Sequence, residues 1–353
     1  MKVAIVYDRV NKWGGAERVL LALHELFPEA PLFTALYDPV KAPWAKVFPK
    51  VIPSFLQKIA WFRDKHELLG ALMPLAFESF NFNDYDLVVS VTSEAAKGII
   101  TKPGTKHICY CLTPTRYLWS GYEIYFANPI LKWLSHPVVG ALRRWDKVAA
   151  ARPDEIVSIS SAVKSRIKKY YGRDSQIIFP GIDIKPVSKQ LARKYYLVVG
   201  RLVKYKKVDL VIRAFNELGY PLVIVGTGSE EARLKSIAQS NVKFEGQVSE
   251  DELDKYYRGA LALVFPQEED FGLTAIEAQA FGTPVIAFRK GGAKDTVIDN
   301  KTGILFDNQS IESLETAVKK FAKMDFKEQD LKANALRFSK AVFLKRISGI
   351  IRK

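Results

Sequence analysis

The chain has 353 residues, 48% of them apolar, and a formal net charge of +15. That length predicts about two domains, each burying its own interior, and no stretch offers the roughly 18 uninterrupted apolar residues that would span a bilayer. The charge favours an anionic partner, whether nucleic acid, acidic lipid headgroups or a phosphorylated substrate, without choosing among them.

The opening MKVAIVYD runs straight into an apolar segment with no small-residue cleavage site, so it reads as a buried strand, and the protein is expected to stay in the cytoplasm. Apolar β-rich runs then alternate with helix-period segments: KVAIVY (2–7), AERVLLALHELF (16–27), DLVVS (86–90), HICYCL (107–112), EIVSIS (155–160) and the amphipathic AVKSRIKKYY (162–171). Strands that are apolar on both faces belong to a parallel sheet covered by helices, which makes the first half doubly wound. Cys109 and Cys111 would share one strand face and read as reduced core residues rather than a redox or metal pair.

Between these strands, residues 43–80 interleave aromatic and aliphatic residues with lysines. That composition suits an interface with lipid headgroups, and equally suits helices packed on the first domain with lysines in solvent. After a Lys-rich segment ending at Lys194 the alternation restarts with YYLVVG (195–200), VDLVIRAFNEL (208–218), PLVIVG (221–226) and EEARLKSIAQ (230–239). A second domain is therefore expected over 185–334, after a first over 1–184. Ser249 and Glu252 have capping-box spacing, LALVFP (261–266) reads as a buried strand, and GLTAIEAQAF (272–281) reads as a helix. The stretch 327–352 is expected to be one basic amphipathic helix, with Leu331, Leu336, Phe338, Phe343, Ile347 and Ile351 on its apolar side; its part from about 335 would pack back on the first domain.

The sharpest chemical signal is PQEEDFGLTAIEAQAFGTPVIA, where Glu269 and Glu277 flank a strand-to-helix turn. Gly272 permits the turn, and the N–H groups of Leu273 and Thr274 open a helix whose positive end can hold a diphosphate. Glu277 could accept from ribose hydroxyls and Glu269 from a sugar hydroxyl. On spacing alone, both could instead be solvated carboxylates.

These residues resemble the E-x7-E motif of retaining glycosyltransferase family 4. The similarity extends over nearly the whole chain, through GGAERV (14–19), TPTRYLW (113–119), SSAVKSRI (160–167), FPGID (179–183), VGRLVKYKKVDLVI (199–212), VGTGSEEARL (225–234) and FEGQVSEDEL (244–253). The resemblance implies a GT-B fold, with two doubly wound Rossmann-like domains facing a cleft and the nucleotide sugar bound mainly by the second. It implies that Arg201 and Lys206 contact the donor diphosphate and stabilise charge on the leaving group. It implies that Gly14 and Gly15 bring a first-domain loop to the diphosphate, and that Gln247 and Val248 hold the base through backbone groups. Arg116 and Tyr117 become acceptor-site candidates. Alternatives are a solvated loop for the cations and an ordinary turn for the glycines.

Many family members carry His where this chain has Leu112. His107 would face the other side of the strand, and His24, His66 and His136 match no catalytic motif. No D-x-D or His/Cys cluster has metal spacing, so metal independence and no cofactor are expected. With its AFESF, YDLVVS and TPTRYLW segments the chain resembles bacterial mannosyltransferases of surface-polysaccharide synthesis, which implies GDP-mannose as donor and a glycan or polyprenyl-diphosphate-linked saccharide as acceptor; the net charge and the 43–80 region add the expectation of an anionic membrane face. A GT-B nucleotide-sugar epimerase and a basic nucleic-acid-binding protein are the rivals. The first should show acid/base carboxylates and histidines, and the second a recognition motif, which this sequence does not contain.

Overall fold

The computed structural model describes residues 1–59, 70–185 and 191–352. Two compact units emerge: Met1–Gly181 with Leu344–Lys353, and Ile182–Phe343.

The first unit is built on a seven-stranded sheet of β1 (Val3–Tyr7), β2 (Leu32–Thr34), β3 (Val51–Pro53), β4 (Leu87–Thr92), β5 (Lys106–Cys111), β6 (Glu155–Ser158) and β7 (Gln176–Ile177). Its spatial order is β3-β2-β1-β4-β5-β6-β7, and every pairing is parallel. All five residues of β1 and all six of β4 are buried, as expected of strands covered on both faces. Connections run through α1 (Gly15–Leu26), α2 (Met73–Glu78), α3 (Tyr122–Tyr125), α4 (Pro129–Ala151) and α5 (Ser161–Tyr171). Helix α5 starts where Ser160 accepts from the Val163 N–H and stops at Gly172 in the left-handed region. Cys109 and Cys111 are free and buried on one face of β5, and burial pushes the Cys109 thiol up to about 12.

The interleaved stretch 43–80 divides. Leu56, Met73, Ala76 and Phe77 are buried in the first unit's core beside Val6, Phe33 and Val88, whereas Val47, Phe55 and Leu75 are exposed. Residues 60–69 of that stretch, His66 among them, lie outside the described residues.

The second unit repeats the plan with β8 (Tyr195–Val199), β9 (Leu222–Val225), β10 (Val242–Gly246), β11 (Ala260–Phe265), β12 (Val285–Phe288) and β13 (Gly303–Phe306). These are parallel in the order β10-β9-β8-β11-β12-β13. Helices α6 (Val208–Leu218), α7 (Glu231–Ile237), α8 (Glu250–Gly259), α9 (Leu273–Ala280), α10 (Ala293–Thr296) and α11 (Ile311–Phe321) cover it. The capping box of α8 is complete, with Ser249 and Glu252 each serving the other's backbone. One face of the sheet packs Val198, Ile224, Val264 and Ile286 under Val211, Phe215 and Leu314; each such buried aliphatic or aromatic side chain contributes roughly 1.5–3 kcal/mol.

The expected single helix over 327–352 is instead two, α12 (Glu328–Leu336) and α13 (Lys340–Ile351). The chain turns between them because Ile182 takes both partners there, donating its N–H to Phe338 O and accepting from Lys340 N. The turn changes the register of the apolar side: Leu331, Phe338, Phe343 and Ile347 are buried, but Leu336 is exposed and Ile350 is buried.

Candidate active site

Parallel strands end on a common edge, and ligands of doubly wound sheets bind outside that edge, where the strand order reverses direction. In the second unit the reversal lies between β8 and β11. The loops that follow these two strands carry Arg201 and Lys206 on one side and Glu269 and Gly272 on the other.

The β8 loop is anchored by Leu202, fully buried, whose N–H donates to Thr227 O at 2.8 Å. Anchoring leaves Arg201 exposed and Lys206 half-buried at the end of a short 3-10 turn, Lys204–Lys206. Tyr205 lies between the two cations, its hydroxyl 3.1 Å from Arg201 Nη2 and its ring 5.6 Å from Lys206 Nζ. Lys206 Nζ also donates to Glu269 Oε1 across the two loops. The pair expected to divide between diphosphate and sugar is therefore held together, with Gln267 Nε2 a further 3.4 Å from the same carboxylate oxygen.

The β11 loop turns at Gly272, which caps α9 with φ +95°. A Cβ there would meet Phe265 Cζ at 2.8 Å, so the position requires glycine twice over. Gly291, at φ +64°, secures the same loop: a Cβ would collide with the Glu269 carbonyl, and the next residue, Gly292, donates its N–H to that oxygen at 2.8 Å. Leu273 and Thr274 form the first turn of α9, where backbone N–H groups have no partner within the helix and Gly272 has no capping side chain to offer. One turn on, Glu277 accepts from the Tyr257 hydroxyl at 2.9 Å. Val248, just past the end of β10, packs on the apolar cluster that contains Tyr257, and Gln247 beside it is exposed. Arg201, Lys206, Gln247, Val248, Glu269, Gly272, Leu273 and Thr274 thus all follow C-terminal strand ends of one sheet, with Glu277 just inside the helix.

In the first unit the reversal falls between β1 and β4. Asp8, immediately after β1, is buried and ties these loops together by accepting from the N–H groups of Ser93, Glu94, Ala95 and Ala96 at 2.6–3.0 Å. Arg9 is paired with Glu94 at 2.7 Å, and the Tyr117 hydroxyl donates to Glu94 at 2.9 Å. Burial holds the Glu94 carboxyl above its ordinary range against the pull of Arg9, and burial together with Glu94 raises the Tyr117 phenol. Below them Lys97 and Asp146, both buried, are paired at 2.6 Å; burial works against the Lys97 charge, and Asp146 more than restores it.

Tyr117 therefore joins a polar cluster at the switch point, and Arg116 stands half-exposed beside it. Gly14 and Gly15 begin α1 on the same edge, Gly14 in extended backbone. His107 is buried in β5 with Nε2 2.8 Å from Ser90 Oγ, a packed core histidine. Sequence reasoning missed Arg9, Glu94, Tyr205 and Tyr257. Only Tyr205 carried a local signal, being inside the cation-bearing loop.

Known proteins resemble this chain in sequence and in fold. Residues 182–338 match the family described as "Glycosyl transferases group 1". An uncharacterized glycosyltransferase of Methanocaldococcus jannaschii is 26% identical over 203 residues, 56% of this chain and 58% of that protein. A GDP-mannose-dependent alpha-(1-6)-phosphatidylinositol monomannoside mannosyltransferase of Mycobacterium tuberculosis is 32% identical over 200 residues, 47% of this chain and 51% of that protein. The chain thus spans about half the length of these curated relatives. The crystal structure of Anabaena HepE in complex with UDP superposes with a TM-score of 0.74 at 17% identity, covering 100% of both chains. Residues 182–338 thus resemble the group 1 glycosyl transferases, and the chain has the GT-B fold.

Proposed function

We propose that the protein is a retaining glycosyltransferase that moves a hexose from a nucleoside diphosphate sugar to a glycan or lipid-linked saccharide in cell-envelope polysaccharide synthesis. The observation that carries this reading is the pairing of Lys206 with Glu269 beside the glycine-started α9 helix, at the reversal point of the second sheet.

In this mechanism Arg201 and Lys206 take the diphosphate, helped by the Leu273 and Thr274 N–H groups, and Glu277 takes the ribose. As the bond from sugar C1 to the diphosphate oxygen breaks, the acceptor oxygen bonds C1 from the same face, and its proton passes to the departing diphosphate. Fixed cations offset the charge that develops on the leaving group, so the step requires no metal ion. Glu269, engaged with Lys206, orients the sugar instead of attacking it. Gln247 and Val248 place the base through their backbone groups, and Arg116 and Tyr117 are the acceptor candidates of the first unit.

GDP-mannose is the first donor to test, in keeping with the name of the mycobacterial relative, and UDP-glucose the second, because HepE has been crystallised with it. The acceptor places the enzyme at the cytoplasmic face of the membrane. The test is release of nucleoside diphosphate from each donor with a polyprenyl-diphosphate-linked saccharide as acceptor, with the product anomer read by NMR. Acceptor-dependent release with the anomeric configuration kept supports the reading; an inverted product, or no release from any nucleotide sugar, overturns it.

A further inference from the structure

Helix α4 has apolar side chains on two sides. One side is inward, where Val139, Ala149 and Ala150 are buried against the first unit. The other faces solvent: Ile130, Trp133, Leu134 and Val138 recur at helical spacing and are 71%, 77%, 59% and 48% exposed. Just before it, Ile124 and Tyr125 of α3 are 75% and 60% exposed. A helix on a water-facing surface ordinarily turns charges outward, and a contiguous exposed apolar patch marks an interaction site.

Charge identifies the occupant. Between Tyr122 and Ala151 the basic residues are Lys132, Arg143, Arg144 and Lys147, and the acids are only Glu123 and Asp146. Glu123 is neutralised by Lys132 at 2.6 Å, and Asp146 is buried against Lys97. Arg144 and Lys147 are exposed. Hydrophobic side chains with a tryptophan, edged by cations on a chain of net charge +15, match the boundary between headgroups and acyl chains of an anionic bilayer. Among the described residues no helix is long and apolar enough to cross a membrane, so the contact would lie in the interface plane.

We infer that this outward face, Ile124 to Val138, docks the first unit on an anionic lipid surface. It deepens the proposed use of a lipid-linked acceptor, and it assigns a membrane contact to α3–α4, a segment separate in the chain from the interleaved stretch 43–80. The core residues of that stretch are already committed to the interior.

The test is co-sedimentation of the full chain with phosphatidylglycerol–phosphatidylcholine vesicles and with pure phosphatidylcholine vesicles, without donor or acceptor. Its outcome is thus separate from that of turnover. The wild type should bind the anionic vesicles, more weakly as salt rises. Ile130→Ser/Trp133→Ser/Leu134→Ser should lose at least about tenfold in binding with an unchanged melting temperature. Arg144→Ser/Lys147→Ser should flatten the salt dependence. A second readout holds even if the triple variant misfolds: brominated lipids should quench wild-type tryptophan fluorescence, less so in Trp133→Phe. Unchanged binding by a folded triple variant, quenching identical in Trp133→Phe, or a wild type that ignores vesicles but self-associates through this face would each overturn the assignment.

Discussion

Lys206 and Glu269 form an ion pair between loops that leave the neighbouring parallel strands β8 and β11. Their side chains are 15% and 21% exposed, so the two loops largely enclose the pair. If Lys206 neutralises the leaving diphosphate, Lys206→Ala should lower kcat/KM by roughly 10²–10³ in the folded variant, whereas a lysine that only pairs with Glu269 would leave the rate unchanged. Lys206→Arg should recover part of the rate, since it keeps the charge but not the geometry. EDTA should leave wild-type turnover unchanged. Steady-state kinetics of the three preparations check this.

Gly272→Ala places a side chain at φ +95° and against Phe265 Cζ. A left-handed non-glycine residue costs about 1–3 kcal/mol, so the variant should melt several degrees lower, and its distorted α9 start should bind nucleotide more weakly. Calorimetry and nucleotide titration of the variant would expose an error if neither quantity changes.

In the Arg9–Glu94 pair the carboxylate is buried, while the Arg9 side chain is 20% exposed. Removing only the cation, as in Arg9→Ala, leaves the buried carboxylate with the Tyr117 hydroxyl but without its paired cation, and should destabilise the protein by somewhat less than the roughly 3–5 kcal/mol of a fully buried pair. Glu94→Gln should be milder in stability, and it should raise KM for the acceptor while leaving KM for the donor alone. Urea denaturation and two-substrate kinetics separate these effects.

His107 carries a pH signature. Burial lowers its pKa from 6.5 to about 3, so the folded protein holds it neutral where the unfolded chain would protonate it. Its contribution to stability is complete above pH 6.5 and is lost as pH falls from there toward 3, at up to about 1.4 kcal/mol per pH unit. In His107→Gln, stability should fall less steeply over that window than in the wild type. The comparison is made by urea denaturation at a series of pH values, and parallel curves would refute it.

Much of this was legible because each informative segment is local. The buried strands read as continuous apolar runs, and VDLVIRAFNEL coincides with α6 residue for residue. The loop bearing Arg201 and Lys206 and the Glu269–Glu277 segment show their chemistry within a few residues of chain. The first-unit cluster does not: Asp8 meets Ala95, and Arg9 meets Glu94, across more than eighty residues, and only the β1–β4 pairing brings them together. The two-sided α4 was hidden for a related reason, since periodicity shows which residues are apolar but not which side the fold leaves in water. Likewise the break between α12 and α13 is fastened by distant Ile182, and its local signal is a single N-cap serine, Ser339, whose side chain accepts from the Val342 N–H.

The central claim is that the second unit holds a nucleoside diphosphate, with Glu277, bonded to Tyr257, on its ribose. The most direct test is the shift in melting temperature with GDP, UDP, ADP and dTDP, measured for the wild type and Glu277→Ala, because a ligand held only by the folded state raises the midpoint. The account predicts a rise with one nucleotide, GDP first, that disappears in Glu277→Ala. No rise with any nucleotide at millimolar concentration, or an equal rise in the variant, would contradict it.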